Sequence, residues 1–209
     1  MSGLKLAALY GIKPHSLGFC GPRDKGILLK YLSGENISEK KIRKILEQFK
    51  GAYPYYESIA KSNNIKDPFD ERVVRAYWIG NKLLAKAGGA KSHHSHHVLV
   101  VGSVTGKIVL KGKLLDLCRI GWGRVISVKC KTQSAKIIVK YQPLAGKKKL
   151  KLGKLTRKDI DWDRDLLSNV IRVGDWISFH WNQAVEVLRK EDVKNLEKYT
   201  KITLKSLQK

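Results

Sequence analysis

Imidazoles and thiols are concentrated at a few places in this 209-residue chain, and their types and spacing fit ligation of a transition metal. His93, His94, His96 and His97 lie within five residues in SHHSHHVLVVGSV, and imidazole is the commonest nitrogen ligand for such ions. Cys118 stands five residues before a Gly-Arg-Val turn at Gly123, Arg124 and Val125, and His180 closes the run GDWISFH. A thiolate and a neutral imidazole suit iron, zinc or copper, and the soft sulfur narrows the choice away from magnesium and calcium. Cys20 in PHSLGFCGPRD, and His15 just ahead of it, are natural helpers for the histidine cluster. Each group also has a plainer use. Cys118 could be a small buried hydrophobe, His180 a hydrogen-bonded strand histidine, Cys20 a small residue in a tight turn, and the histidine tract a polar linker.

Stepping outward to the elements that must carry them, Pro14 to Asp24 holds Gly18, Gly21 and Pro22 and reads as a structured loop. Ile27, Leu28, Tyr31 and Leu32 give a first helical face up to Gly34. Cys20 precedes that helix, whose N-terminal partial charge would lower a thiol pKa. Ser38 opens a second helix with Ile42, Ile45, Leu46 and Phe49 on one side, and Pro54 opens a third that ends at Asn63 and Asn64. Asp70, as N-cap, opens a fourth helix to Lys86 with Val73, Val74, Tyr77, Trp78 and Leu84 turned inward. Ala87 to Ala90 reads as a linker. The run Val98 to Val101 is rich in β-formers, so His96 and His97 are expected to enter a strand and point to opposite faces. Strands are expected at Val125 to Val128 and Asp175 to His180, then a C-terminal helix from Lys190 to Leu207. The fold class is therefore α+β: a helical domain over 1–87, a His-rich junction with first strands over 88–117, and a small OB-like β-barrel with a C-terminal helix over 118–209.

The net charge of +24 raises a second class of partner, because neutralising phosphates releases counterions and favours basic surfaces. The densest basic cluster is Lys147, Lys148, Lys149, Lys151, Lys154, Arg157 and Lys158, interleaved with Leu150, Leu152 and Leu155 as in a hairpin with one solvated face. An RNA- or ribosome-associated module is thus the alternative to a metal protein. A metal-dependent hydrolase is a weaker alternative, since it needs a carboxylate base and offers only Asp67, Asp70 and Glu71. There is no Walker loop, dinucleotide fingerprint, nucleophile elbow or zincin helix, so a non-enzymatic role is favoured. Three cysteines without framework spacing fit free thiols in a reducing cytoplasm. No stretch is apolar enough for a membrane partner.

Two resemblances accompany these readings. Cys118 with Gly123, Arg124 and Val125, and Gly174, Asp175, Trp176, Ile177, Phe179, His180, Ala184, Val185, Glu186 and Leu188, resemble the signature of the small hydrogenase-maturation chaperones of the HypC/HupF type. The resemblance spans about the last 90 residues. It implies a five-stranded barrel and an iron-carrying role in which Cys118 and His180 serve the handover, with a protein scaffold or metalloenzyme precursor as partner. The motifs GFCGP, AYPYYESIAKSNNIKDPFDERVVRAYWIGN and HHSHHVLVVGSV look like a prokaryotic family without an assigned activity, in which they precede such a barrel.

Overall fold

A computed structural model describes residues 1–102, 109–130, 134–146, 149–167 and 170–208. Helix α1 (Gly3–Ser16) runs through the middle of the helical part, followed by α2 (Ile27–Leu32), α3 (Glu39–Leu46), α4 (Tyr53–Ser62) and α5 (Glu71–Trp78). Helix α1 is the element that sequence periodicity misses. Leu4, Leu6, Ala7, Ala8, Leu9, Tyr10 and Ile12 are all buried, so it is apolar on every side and shows no stripe. It also carries through Pro14, where a loop was expected. The fourth expected helix is shorter than its pattern suggests. Asp70 caps α5 as expected, accepting from the Arg72 amide, but the chain leaves the helix at Gly80, with φ 91°, before a 3-10 segment Lys82–Lys86. A side chain at position 80 would run into the ring of Tyr199, so this close approach needs glycine.

Residues 94–101 of the junction are helical, where a strand was expected. A short turn α6 (His94–His96) continues into a π-helical turn, His97–Val101. His93 caps it by accepting from the Ser95 amide, a local bond that outweighs the weak β preference of a four-residue apolar run. After α7 (Lys113–Cys118) come β1 (Gly121–Cys130), β2 (Ser134–Tyr141), β3 (Leu144–Ala145), β4 (Lys151–Leu152), β5 (Thr156–Asp163), β6 (Trp176–His180) and β7 (Gln183–Leu188), then α8 (Lys190–Ser206). Strands β1, β2, β5, β7 and β6 close into a barrel in that order, and only β5 and β7 pair in parallel. This is the Greek-key order of an OB-like barrel, with the small hairpin β3–β4 inserted where leucines alternate with lysines.

Strand alternation explains how the two halves meet. On β6, Ile177 and Phe179 fill the barrel interior, so Ser178 and His180 must point outward. They do not reach solvent, because α1 lies against them and every position of β6 after Trp176 is buried. The Tyr10 hydroxyl donates to Glu186 of β7 (2.6 Å) and lies 3.0 Å from the Ser178 hydroxyl. Arg75 of α5 pairs with Glu186 and, at 2.8 Å, with Asp192 of α8. Apolar residues of the helical part form one continuous core with Ile120, Trp122, Val185, Leu188 and Leu196.

A buried ion pair that loses one member leaves an uncompensated charge, which costs about 3–5 kcal/mol. Arg75→Met is therefore expected to lower stability by about that amount in urea unfolding, and adding Glu186→Gln should recover part of the loss. A cost below about 1 kcal/mol would show that the cluster does not join the two halves.

Candidate metal centre

His94, Cys118 and His180 come from three different elements and place their nitrogen and sulfur atoms within 4.8 Å of one another. His94 projects from the first turn after the His93 cap. Cys118 is the last residue of α7 and His180 the last of β6. The hairpin after His180 brings them together. His180 pairs with Gln183, leaving Trp181 and Asn182 as a two-residue loop with φ 51° and 61°, the left-handed pair of a type I′ turn. A tryptophan rarely adopts this conformation. Here it is held by a bond from its amide to the Leu117 carbonyl (3.0 Å) and by its ring packing on Phe19 at 4.3 Å.

The histidines are oriented by backbone carbonyls, which can only accept and so decide which nitrogen carries the proton. His180 Nδ1 donates to the Tyr10 carbonyl at 2.6 Å. Its Nε2 is buried and makes no hydrogen bond. His94 Nε2 donates to the Cys118 carbonyl at 2.8 Å, leaving its Nδ1 facing the Tyr77 hydroxyl at 3.0 Å. That hydroxyl gives its proton to the Gly51 carbonyl (2.6 Å). The Nε2 lone pair of His180 is therefore left without a proton donor while a carbonyl holds the other ring nitrogen, the arrangement in which an outer carbonyl fixes a ligand histidine. Between these groups lies a cavity of about 30 Å³, also lined by Cys20, Tyr77, Trp78 and His97, large enough for an ion or a water. A tetrahedral zinc ion spaces its nitrogen and sulfur ligands roughly 3.3–3.8 Å apart, so the three side chains need close by only about 1 Å.

Residues 1–91 and 84–209 match a sequence family described as a family of unknown function, DUF6390. The chain belongs to that family. No curated protein and no solved structure matches it. In this DUF6390 chain the matched segments span both halves and the junction that carries the site.

Of the residues expected to act on metal, the fold gathers His94, Cys118 and His180 and sets Cys20 in the wall of the same cavity. The Cys118 and His180 pair and the histidine cluster thus meet in one place, not two. Of the other members, His97 also lines the cavity and packs against Tyr55 and Tyr77, whereas His93 stacks on Tyr199 at 5.2 Å and His96 is only partly buried. His15 faces away, its Nδ1 on the Cys20 carbonyl and its Nε2 on Asp24. The residue that sequence reasoning missed as part of this site is Tyr77, whose spacing reads first as core. Nothing in its helical spacing marked the hydroxyl.

Burial sets the protonation of the site. It pushes the Cys118 thiol upward, helped by nearby Cys20 and opposed by the Trp181 indole. The Cys20 thiol is pushed up to about 12 by burial, the reverse of the lowering expected from a helix N-terminus. Cys20 lies well before Ile27, the first residue of α2, and that helix end is taken by Asp24, which accepts from the Gly26 and Leu28 amides. Burial lowers His180 to about 4, although the Tyr10 carbonyl favours its charged form, and lowers His93 to about 3. His94 is held well below its ordinary value, first by burial and then by the neighbouring His180 and His97.

These rings are neutral in the fold, while in the unfolded chain they take up protons near pH 6.5. The metal-free protein should therefore have its full stability above pH 6.5 and lose it as pH falls toward 4. A thermal melt at pH 4.5 should lie at least about 5 °C below one at pH 7.5. His180→Gln combined with His93→Gln should flatten that slope; an unchanged slope would mean that these rings are not neutral in the fold.

Proposed function

We propose that this chain is a metal-centre protein that binds one zinc or ferrous iron ion through His94, Cys118 and His180, and that it serves as a carrier or assembly factor. The observation that supports this most directly is the unpartnered, buried Nε2 of His180 facing a thiol and a second imidazole across a cavity the size of an ion. One thiolate and two imidazoles suit zinc or iron and disfavour magnesium and calcium. The carrying role draws on the location of the ligands. They belong to the junction, α7 and the β6 hairpin, so displacement of any one element dismantles the set. The likeness of the segments around Cys118 and His180 to HypC/HupF-type chaperones points the same way, with a metalloenzyme precursor or scaffold protein as recipient.

Hydrolysis fits less well. None of the described residues lining the cavity is a carboxylate. Asp67 is held by Arg43 at 2.7 Å, Asp70 by Arg72 at 2.7 Å, and Glu71 is exposed beside the N-terminal amine.

Protein purified anaerobically without a tag should contain about one zinc or iron per chain. Zinc in 100-fold excess over its Kd should raise stability by about 2.7 kcal/mol. Cys118→Ser and His180→Ala should each weaken binding by roughly tenfold or more. If the unmodified protein neither binds zinc or ferrous iron nor gains stability from them, the metal reading fails. An ion that resists a chelator while the protein stays folded would make the centre structural and remove the carrying role.

A second reading, an RNA- or ribosome-associated module, rests on a row of cations. Arg124, Lys140 and Arg157 are cross-strand neighbours on β1, β2 and β5 and all are exposed. Like charges placed opposite one another repel, and an anionic strand would relieve this. Asp159 and Asp161 share the face and weaken its field. Lys149, Lys151 and Lys154 are exposed, while Lys158 folds back over Tyr141 toward Asp116. Lys147 and Lys148 lie outside the described residues. RNA binding by this row predicts a slope of log affinity against log salt of roughly −2 for single strands. Retention on bulk RNA that ignores salt would dismiss it.

A further inference from the structure

The three-ligand centre leaves a fourth position, and one wall of its cavity carries a second sulfur. Cys20 lies on the loop between α1 and α2 and lines the cavity together with His94, Cys118 and His180. It packs beside the cluster that holds Cys118 and Trp181. The loop around it is closely fixed. The Phe19 amide donates to the Pro14 carbonyl at 2.8 Å, and His15 donates to the carbonyl of Cys20 itself at 3.0 Å. Gly18 and Gly21, with φ 76° and 75°, supply the two left-handed residues the path requires. A Cβ at position 21 would come within 2.5 Å of the Phe49 ring. That ring also lies on Gly11, so Phe49 and the GFCGP loop together form the outer wall of the cavity. Cys118 is 1 % exposed, whereas Cys20 is only partly buried, so Cys20 is the sulfur nearer to solvent.

We infer that Cys20 is the fourth ligand of the centre, completing a closed Cys2His2 set, and that metal binding fastens the GFCGP loop over the cavity. The inference rests on the metal reading above and deepens it. Among the described residues, Cys20 is the other thiol of the cavity wall; it stands outside the group of three whose ligand atoms lie within 4.8 Å of one another, so ligation would draw it inward. A soft second sulfur suits a four-coordinate site for zinc or iron. Because Cys20 stands on the outer wall, it is the first of the four to meet an arriving ion and the last to release a departing one. It is thus the exchangeable ligand, while the inner three define the position.

Cobalt(II) reports this directly, because its sulfur-to-metal charge-transfer absorption grows with the number of bound thiolates. The full-length protein should bind one cobalt ion with the absorption of two thiolates. Cys20→Ser should still bind one ion but lose about half of that absorption. It should also give up the ion to a chelator roughly tenfold faster. Cys20→Ala, which keeps no oxygen ligand, should show the same loss, and circular dichroism should confirm that both variants fold. If the variants bind cobalt with the full absorption of the unmodified protein, Cys20 is not a ligand and the three-ligand reading stands alone. If the unmodified protein binds no cobalt, both proposals fall.

Discussion

The docking of helical part to barrel depends on one buried charge cluster, Arg75 between Glu186 and Asp192. Burial lifts the Glu186 carboxyl above its ordinary value even with Arg75 beside it. Asp192 is held below its own, because bonds from Arg189 and the charge of Arg75 outweigh its burial. Desolvating charges is costly, and such clusters add little net stability. What this one adds is alignment. A placement of α5 that took Arg75 away would leave the Glu186 carboxylate in a water-poor interface without a cation, and Asp192 with Arg189 alone. Tyr10 reinforces the alignment from α1. Its hydroxyl meets Glu186 and Ser178 while its carbonyl meets His180, so one residue spans both barrel strands that face the helices.

That alignment decides whether the candidate centre exists. His94 arrives with the junction, Cys118 with α7 and His180 with β6, and none of the three elements holds more than one of these atoms. The tautomer of His180 is also set across the interface, by a carbonyl of α1. In the proposed centre, ligation of a metal would thus be coupled to the joining of the two halves through the same imidazole, one ring nitrogen serving each.

Much of this was legible in the sequence, and the exceptions have physical causes. The barrel was expected from the resemblance of the segments around Cys118 and His180 to HypC/HupF-type chaperones, and the strand ending at His180 shows in the alternation of apolar Ile177 and Phe179 with Ser178 and His180. Helices α3 and α5 announce themselves through apolar residues three and four apart. Helix α1 does not, because it is surrounded by other elements and has no polar side to mark its period. The histidine tract misled in another way. Four β-forming residues after it suggest a strand, but the His93 side chain captures the Ser95 amide and starts a helical turn. In that turn His94 and His97 are one turn apart and both line the cavity, which alternation could not bring about. The direction of the Cys20 shift was misjudged because a helix N-terminus was assumed to face the thiol, when Asp24 already occupies it.

Trp181 carries a further consequence. A bulky residue at φ 51° stores local strain, of the order of 1–3 kcal/mol, and glycine or asparagine would adopt the same turn at less cost. Either would give up the indole that packs on Phe19 and lies against Cys118, which is what keeps the tip of the hairpin beside α7. A relaxed hairpin and a well-placed imidazole thus call for different residues at one position. Tryptophan there gives a less stable turn and a hairpin tip fixed beside α7.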